Sequence, residues 1–316
     1  MAVITKITEL LDISYPLIQG GMAWVADARL AAAVSNAGGL GVVAAANMPP
    51  DLLEKELCLV RELTDKPFGL NIMLMSSTAD DALELAAAHR VPVVTTGAGF
   101  PGKVIERMKP LGSKVIPVIA SVSHAKRVAK QGADAVIAEG CEAGGHIGET
   151  TTMCLVPQVA AAVSLPVIAA GGIADSRGVL AAFALGALGV QVGTRFLCSL
   201  ECGIHENYKK AVLKAGDRST AVTARPTGHP VRCLKNKLSN AFDDLDKEKV
   251  SPEEYERLGA GKLRSAVVEG DTDWGSLMAG QSAGMVTSIE SCATIVENLF
   301  SGVPERLRIL QDLFKV

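Results

Sequence analysis

The 316-residue sequence lacks several features that would point to particular partners or compartments. Aromatic residues make up only 4% of it, which argues against a surface that stacks nucleic-acid bases. The net charge at pH 7 is −3, so no overall positive charge favours nucleic acid as a partner. The seven cysteines are odd in number and lack the regular spacing of a disulfide framework, so we expect reduced thiols in a cytoplasmic protein.

The sequence also predicts neither a secretion signal nor a membrane-spanning helix. The N-terminal segment MAVITKITELLD carries an early acidic residue and no apolar core, so no signal peptide is predicted. One long uncharged stretch, residues 156–174, has a length typical of a bilayer-spanning helix. It contains two prolines and two adjacent glycines, however, so a buried helix followed by a buried strand explains it better. We therefore expect no membrane association.

What the sequence does contain is a series of short apolar runs at regular spacing. Each run is continuous rather than alternating, as expected for strands buried on both faces of a parallel sheet, and segments rich in helix-forming residues separate them. Eight such units predict an α/β fold, a (β/α)8 TIM barrel. An open doubly wound sheet is the alternative, but no GxGxxG follows the first run. The runs are residues 16–22, 40–46, 68–74, 91–98, 114–121, 135–140, 166–173 and 189–196.

The pattern changes after the eighth run. Residues 205–264 are rich in charged side chains and their apolar periodicity weakens. We therefore predict a smaller inserted substrate-binding domain at residues 205–278. The TIM-barrel domain would comprise residues 1–204 and 279–316, with the amphipathic tail at residues 292–313 supplying its closing helices.

In a barrel of this kind the active site forms at the carboxyl-terminal ends of the strands. Gly171 and Gly172 end the seventh run, and Gly193 and Thr194 end the eighth. Glycines at either place could simply make a tight turn, but both pairs stand where such barrels bind phosphate through backbone N–H groups. We therefore predict a phosphate site there, with Asp175 as the N-cap of the following helix.

The sixth run is followed by the glycine-rich segment EGCEAGGHIG, residues 139–148. The spacing of Cys141, Glu142 and His146 is poor for zinc, and nothing elsewhere completes a tetrahedral site, so no metal site is predicted. Cys141 and His146 could form a nucleophile and its base, although no third orienting residue is evident. His146 remains the one side chain suited to proton transfer near neutral pH.

Few acid–base side chains stand at the predicted mouth, which suggests that a cofactor carries the chemistry. Flavin mononucleotide (FMN) fits this composition. Its phosphate would lie at the seventh and eighth runs, and its ring would lie against Gly21, Met22 and Ala23, where small side chains permit backbone contact. Asn71 could hydrogen-bond the polar edges of the ring.

Nine motifs cover essentially the whole chain: QGGMAWVA, NAGGLGVVAAAN, DKPFGLNIML, VVTTGAG, EGCEAGGHIG, VIAAGGIAD, VQVGTRF, GHPVR and MAGQSAG. Together they resemble the bacterial FMN-dependent enoyl-acyl-carrier-protein reductase II, a family that belongs with the nitronate monooxygenases. EAGGH and the two glycine pairs are shared by the superfamily, whereas GHPVR and MAGQSAG point more specifically to the reductases.

The resemblance implies an FMN that is reduced by NADH or NADPH and then reduces a trans-2-enoyl thioester borne by acyl carrier protein. It also implies a homodimer and a response to a monovalent cation, for which the sequence shows no site. His146 would be the catalytic residue, and His229 and Arg232 would contact substrate. The residues expected to contact FMN are Gly21, Met22, Ala23, Asn71, Glu139, Gly171, Gly172, Gly193, Thr194 and Gln281.

Two other functions stay open at this point. A nitronate monooxygenase would use the same FMN with O2 and would use His146 as a base on a nitroalkane. A non-catalytic flavin-binding protein would need neither activity. The acid-free run from Arg225 to Lys237, which also holds Arg232 and Lys235, could steer an acidic carrier protein or simply be a solvated face.

Overall fold

A computed structural model describes residues 3–314 and contains two β-sheets. The larger sheet has eight parallel strands, and the smaller has three antiparallel ones. In chain order the strands are β1 (Leu17–Gln19), β2 (Gly41–Ala44), β3 (Phe68–Met73), β4 (Val93–Gly97), β5 (Lys114–Ile119), β6 (Val136–Glu139), β7 (Gly145–His146), β8 (Val167–Ala170), β9 (Gly189–Val192), β10 (Thr220–Thr223) and β11 (Val231–Leu234).

The larger sheet closes on itself. Its strand order is β1-β9-β8-β6-β5-β4-β3-β2, and Leu17–Gln19 of β1 pair in parallel with residues 190–192 of β9. A further bridge joins Ile18 to Leu40, just before β2. Each of the eight predicted apolar runs contains one of these strands, so the predicted TIM barrel is confirmed.

Helices surround the barrel and follow most of its strands. Several begin at side-chain caps, including Asp27, Ser121 and Asp175, and the predicted cap at Asp175 accepts from the Arg177 backbone N–H at 2.8 Å. The helices are α1 (Lys6–Leu11), α2 (Ala28–Asn36), α3 (Pro50–Leu63), α4 (Ala79–Ala88), α5 (Gly102–Met108), α6 (Val122–Gln131), α7 (Thr152–Ala162), α8 (Ser176–Ala184), α9 (Thr194–Leu197), α10 (Glu206–Leu213), α11 (Lys237–Glu248), α12 (Pro252–Gly259), α13 (Lys262–Arg264), α14 (Cys292–Ser301) and α15 (Val303–Phe314).

The long uncharged stretch at residues 156–174 is divided between a helix that is buried on one face only, with Gln158 and Ala161 exposed, and a fully buried strand. Its first part lies in α7 and its second part contains β8, as the proline and glycine positions predicted. Within residues 3–314, no helix has both the length and the apolar character needed to cross a membrane.

The inside of the barrel is filled with aliphatic side chains. Ile18, Val42, Ile116 and Ile168 are fully buried there and belong to one cluster. The same cluster includes Ile7 of α1, so this short helix packs across the amino-terminal end of the strands. An apolar plug at that end leaves the opposite, carboxyl-terminal end as the place for a ligand.

The smaller sheet is built from segments that are far apart in sequence. β10 pairs with β11, and β11 pairs with β7, which lies in the loop after β6. The predicted division into a barrel domain and a small domain at residues 205–278 stays a prediction. Residues 1, 2, 315 and 316 of the predicted barrel domain lie outside the described residues. The predicted tail at residues 292–313 forms two helices, α14 and α15, separated at Gly302.

Close packing of α2 against β2 depends on Gly41. A Cβ atom at Gly41 would lie 1.8 Å from the carbonyl oxygen of Ala31, and backbone atoms cannot move aside as a flexible side chain can. We expect Gly41→Ala to lower the free energy of unfolding by about 3 kcal/mol or more, the upper end of overpacking costs.

Urea denaturation of the two proteins measures this difference. Gly102→Ala is the matched control, because a Cβ there would have its nearest contact at 3.5 Å, with the side chain of Gln131. A Gly41→Ala protein within about 1 kcal/mol of the wild type would contradict the tight-packing account.

Candidate active site

A cavity of about 240 Å³ opens at the carboxyl-terminal ends of the barrel strands. Residues in or directly after all eight strands line it, so its position is the one expected for a TIM-barrel active site. The predicted catalytic residue His146 lies in its wall. Of the ten predicted cofactor-binding residues, the lining includes Gly21, Met22, Ala23, Asn71, Glu139, Gly171, Gly172, Gly193 and Thr194.

Three predicted site residues do not line the cavity. The side chain of Gln281 is exposed, and its backbone N–H donates to the Glu142 carbonyl at 2.9 Å. His229 is exposed but close enough to His146 to affect its ionisation. Arg232 is 8% exposed and its guanidinium is engaged within the protein.

The loop after β1 lies directly against β3 because Gly21 has no side chain. A Cβ at Gly21 would lie 2.3 Å from the Cβ of Asn71. Asn71 in turn donates from Nδ2 to the Thr95 hydroxyl at 3.0 Å. This bond fixes the amide, and its Oδ1 oxygen, which has no hydrogen-bond partner among residues 3–314, is left as an acceptor at the cavity wall.

The residues after β8 and β9 bring two glycines with positive φ angles and one hydroxyl group to the cavity wall. Gly171 and Gly172 have φ values of +98° and +73°, a left-handed conformation that favours glycine. Thr194 is buried, and its Oγ1 accepts from the Gly280 N–H at 2.9 Å. Because the oxygen is already an acceptor, the hydroxyl hydrogen is free to donate to a ligand.

The loop after β6 is tied to its neighbours through Glu142. The Glu142 carboxylate accepts from the Thr152 N–H and hydroxyl, each at 2.9 Å, at the N-terminus of α7, where an anion is stabilised. Gly144 and Gly280 then allow backbone to pack on backbone, since a Cβ on Gly280 would lie 2.5 Å from the Glu142 carbonyl oxygen.

His146 is positioned by the smaller sheet rather than by the barrel. It pairs with Val231 of β11, and Arg232 donates from Nε to the Cys141 carbonyl at 2.9 Å and from Nη1 to the Thr220 hydroxyl at 3.0 Å. The ring is open to the cavity, yet desolvation, followed by repulsion from His229, lowers its pKa. His146 is therefore mainly neutral at pH 7.

Cys141 is a poor nucleophile in this setting. Burial, followed by the negative charge of Glu142, raises the pKa of its thiol, so the reactive thiolate is disfavoured, and the residue does not line the cavity. Within the described part of the chain, no group of three or more His, Cys, Asp or Glu side chains is arranged to hold a metal ion.

The cavity also contains residues that the sequence reasoning did not single out. Tyr208 lies on α10, and its buried hydroxyl donates to the Met278 carbonyl at 2.8 Å. Nothing in the charged segment around Tyr208 marks it as a wall residue, whereas Met278 belongs to the MAGQSAG motif. Other such residues are Met73, Val118, Leu263 and Ser282.

A family model and a solved structure both match nearly the whole chain. A family model described as nitronate monooxygenase matches residues 5–302. The structure titled FabK from Thermotoga maritima has a TM-score of 0.96 and 49% identity, covering 98% of this chain and 99% of the other.

Two curated relatives carry different functional names. A protein of Rhodococcus jostii, named (3aS,4S,5R,7aS)-5-hydroxy-7a-methyl-1-oxo-octahydro-1H-indene-4-carboxyl-CoA dehydrogenase, is 35% identical over 98% of each chain. A probable nitronate monooxygenase of Staphylococcus saprophyticus is also 35% identical, over 95% of this chain and 97% of its own.

The position of His146 should depend on Arg232. We expect Arg232→Met to release the Cys141 carbonyl and speed hydrogen–deuterium exchange of the backbone amides at residues 141–148 by about tenfold, the effect of losing roughly 1.4 kcal/mol of local stability. Amides of the barrel strands should exchange as in the wild type.

Arg225→Met is the matched control. Arg225 pairs with Glu149 at 2.5 Å from the turn between β10 and β11, but about half or more of each side chain is exposed, so its loss should change exchange little. Equal effects of the two substitutions on residues 141–148 would contradict a specific role for Arg232.

Proposed function

We propose that this chain, which belongs to the nitronate monooxygenase family, reduces the double bond of trans-2-enoyl thioesters with NADH or NADPH through a bound FMN. Enzymes of the family are flavin-dependent oxidoreductases. The observation that carries the finer proposal is the 49% identity to the FabK structure over nearly the whole of both chains. The reductase-type motifs GHPVR and MAGQSAG support it.

The polar groups of the cavity wall support FMN as the ligand. Gly171, Gly172, Gly193 and the free hydroxyl hydrogen of Thr194 would hold the phosphate by neutral donors. The Oδ1 oxygen of Asn71 would accept from a ring N–H. When bound, FMN would supply electron transfer between the nicotinamide and the enoyl thioester.

His146 would act on the substrate from the loop after β6. A neutral imidazole can orient a carbonyl or nicotinamide by hydrogen bonding, and its protonated fraction can supply a proton to the substrate α-carbon. The lowered pKa of His146 makes the protonated fraction grow as the pH falls below 6.5. A reaction that needs this proton should therefore speed up toward lower pH.

Acyl carrier protein is the proposed bearer of the substrate. Most basic side chains of the run at residues 225–237 are already paired or buried within the protein. Arg225 pairs with Glu149, Lys237 pairs with Asp273, and Arg232 is buried. Lys235 is exposed and would be the main contribution of this run to steering. A cytoplasmic homodimer and a monovalent-cation response are proposed on the family resemblance.

Nitronate monooxygenase is the second candidate. The family description and the name of the Staphylococcus saprophyticus relative favour it, and His146 would then be a base on the nitroalkane. The name of the Rhodococcus jostii relative specifies a CoA thioester, so thioester chemistry occurs on this scaffold and supports the first candidate.

Anaerobic mixing separates these candidates. We expect purified protein with bound FMN to lose its flavin absorbance on mixing with NADH or NADPH and to regain it on adding crotonyl thioester. In a separate aerobic assay, oxygen consumption that requires a nitronate, by a protein whose reduced flavin does not respond to the enoyl thioester, would instead establish the monooxygenase. Flavin that responds to neither reductant nor nitronate would indicate a non-catalytic flavin-binding protein.

His146→Ala tests the assigned side chain. If His146 donates the proton, the thioester-dependent return of flavin absorbance should slow by about 10²- to 10⁴-fold, while bleaching by NAD(P)H continues. His146→Gln keeps hydrogen-bonding groups without the acid function, so a rate restored by Gln would show positioning alone. Full turnover in His146→Ala would exclude both roles.

A further inference from the structure

Glu139 stands out among the cavity residues because its carboxyl group has no hydrogen-bond partner within residues 3–314. It is the last residue of β6 and lines the cavity. Its neighbour in sequence, Glu142, is the contrast: that carboxylate receives hydrogen bonds from the Thr152 N–H and hydroxyl. Glu139 is only partly buried, because it lines the open cavity. A carboxylate that loses water there without gaining a partner is costly, so such a group tends to be neutral.

No charge faces Glu139 from the elements packed around it. On the β5 side, Val118 and Ile119 pair with Ile137 and Ala138, the two residues before Glu139. On the β8 side, Ala170 is its direct partner in the ladder. The lining includes no lysine or arginine, and its other titratable side chains are His146 and Tyr208. Burial alone raises the pKa of Glu139 from 4.5 to about 8.

We propose that Glu139 is a neutral carboxylic acid near pH 7 and donates a hydrogen bond from its carboxyl O–H to an acceptor atom of the ligand in the cavity. The proposal rests on FMN as that ligand. An acid kept neutral by an apolar site can serve as a donor without needing a counter-ion. In this cavity, whose lining among residues 3–314 includes no lysine or arginine, it supplies a strong donor without adding a positive charge.

The sign of the pH effect follows from this assignment. Below the raised pKa the folded protein keeps the proton and the donor; above it, Glu139 ionises, the donor is lost and an unpaired charge faces the ligand. FMN affinity should therefore fall as the pH rises past about 8. The lowered pKa of His146 lies under this range, and burial raises the pKa of Tyr208 well above 10, so Glu139 is the cavity-lining group that titrates between them.

Infrared spectroscopy tests the protonation state without relying on the identity of the ligand. The difference spectrum between wild type and Glu139→Gln should contain the C=O stretch of a protonated carboxylic acid at pH 7. That band should disappear when the same spectrum is recorded at about pH 10, two pH units above the midpoint. A carboxylate band at pH 7 would overturn the proposal.

FMN titration, followed by quenching of flavin fluorescence, tests the hydrogen bond. For the wild type we expect the Kd to rise by about tenfold per pH unit above the pKa of Glu139, as one-proton linkage requires. Glu139→Gln, a neutral donor of the same shape, should bind at pH 7 like the wild type and show no such rise. Glu139→Ala should bind about three- to tenfold more weakly than Glu139→Gln at every pH, the effect of one lost hydrogen bond.

The outcomes separate this inference from the proposed cofactor. Titration of the FMN phosphate is common to all three proteins and cancels in their ratios. A wild-type Kd that is flat through pH 10, or a Glu139→Gln profile that rises like the wild type, would overturn the hydrogen bond while leaving FMN in place. A wild-type protein that fails to bind FMN at pH 7 would overturn the cofactor and the hydrogen bond together, and the infrared band would still decide the protonation state.

Discussion

Pairing of β1 with β9 is the interaction on which the rest of the molecule depends. It closes eight parallel strands into a barrel, so that segments from residue 20 to residue 194 meet at one end. An open sheet would leave the loops after β1 and β5 too far apart to share a cavity. Since α1 and the aliphatic interior fill the other end, the chemistry of this chain is confined to the carboxyl-terminal face.

A second set of contacts organises the loop after β6 over that face. The loop is held at Glu142 by α7, at Gly144 by residues 279–280, and at His146 by β11. The small sheet is therefore joined directly to the active-site loop, because β7 of that loop is its third strand. Arg232 serves this contact between segments, which explains why it lies outside the cavity although its motif suggested substrate binding.

The electrostatic character of the cavity is set by the ionisable side chains that these contacts do not pair. Glu142, Arg225 and Lys237 have partners outside the cavity, whereas Glu139 and His146 remain at the wall. Desolvation pushes both toward their neutral forms, raising one pKa and lowering the other. A wall of neutral donors and acceptors suits a cofactor that carries its own redox chemistry, and the differing names of the relatives suggest that such a wall serves more than one substrate.

The sequence by itself determined the eight strands, the helices that follow them and ten of the 29 residues that line the cavity. Continuous apolar runs specify buried parallel strands locally, and strand ends in such a barrel converge whatever their sequence separation, so Gly21, Asn71 and Thr194 could be assigned together. Tertiary structure alone decided that β7 pairs with β11, that Arg232 holds a carbonyl 91 residues away, that Tyr208 forms part of the wall, and that the Glu139 carboxyl group has no hydrogen-bond partner among residues 3–314. These features depend on long-range pairing and on desolvation, and both are properties of neighbours brought together by folding, which local periodicity does not encode.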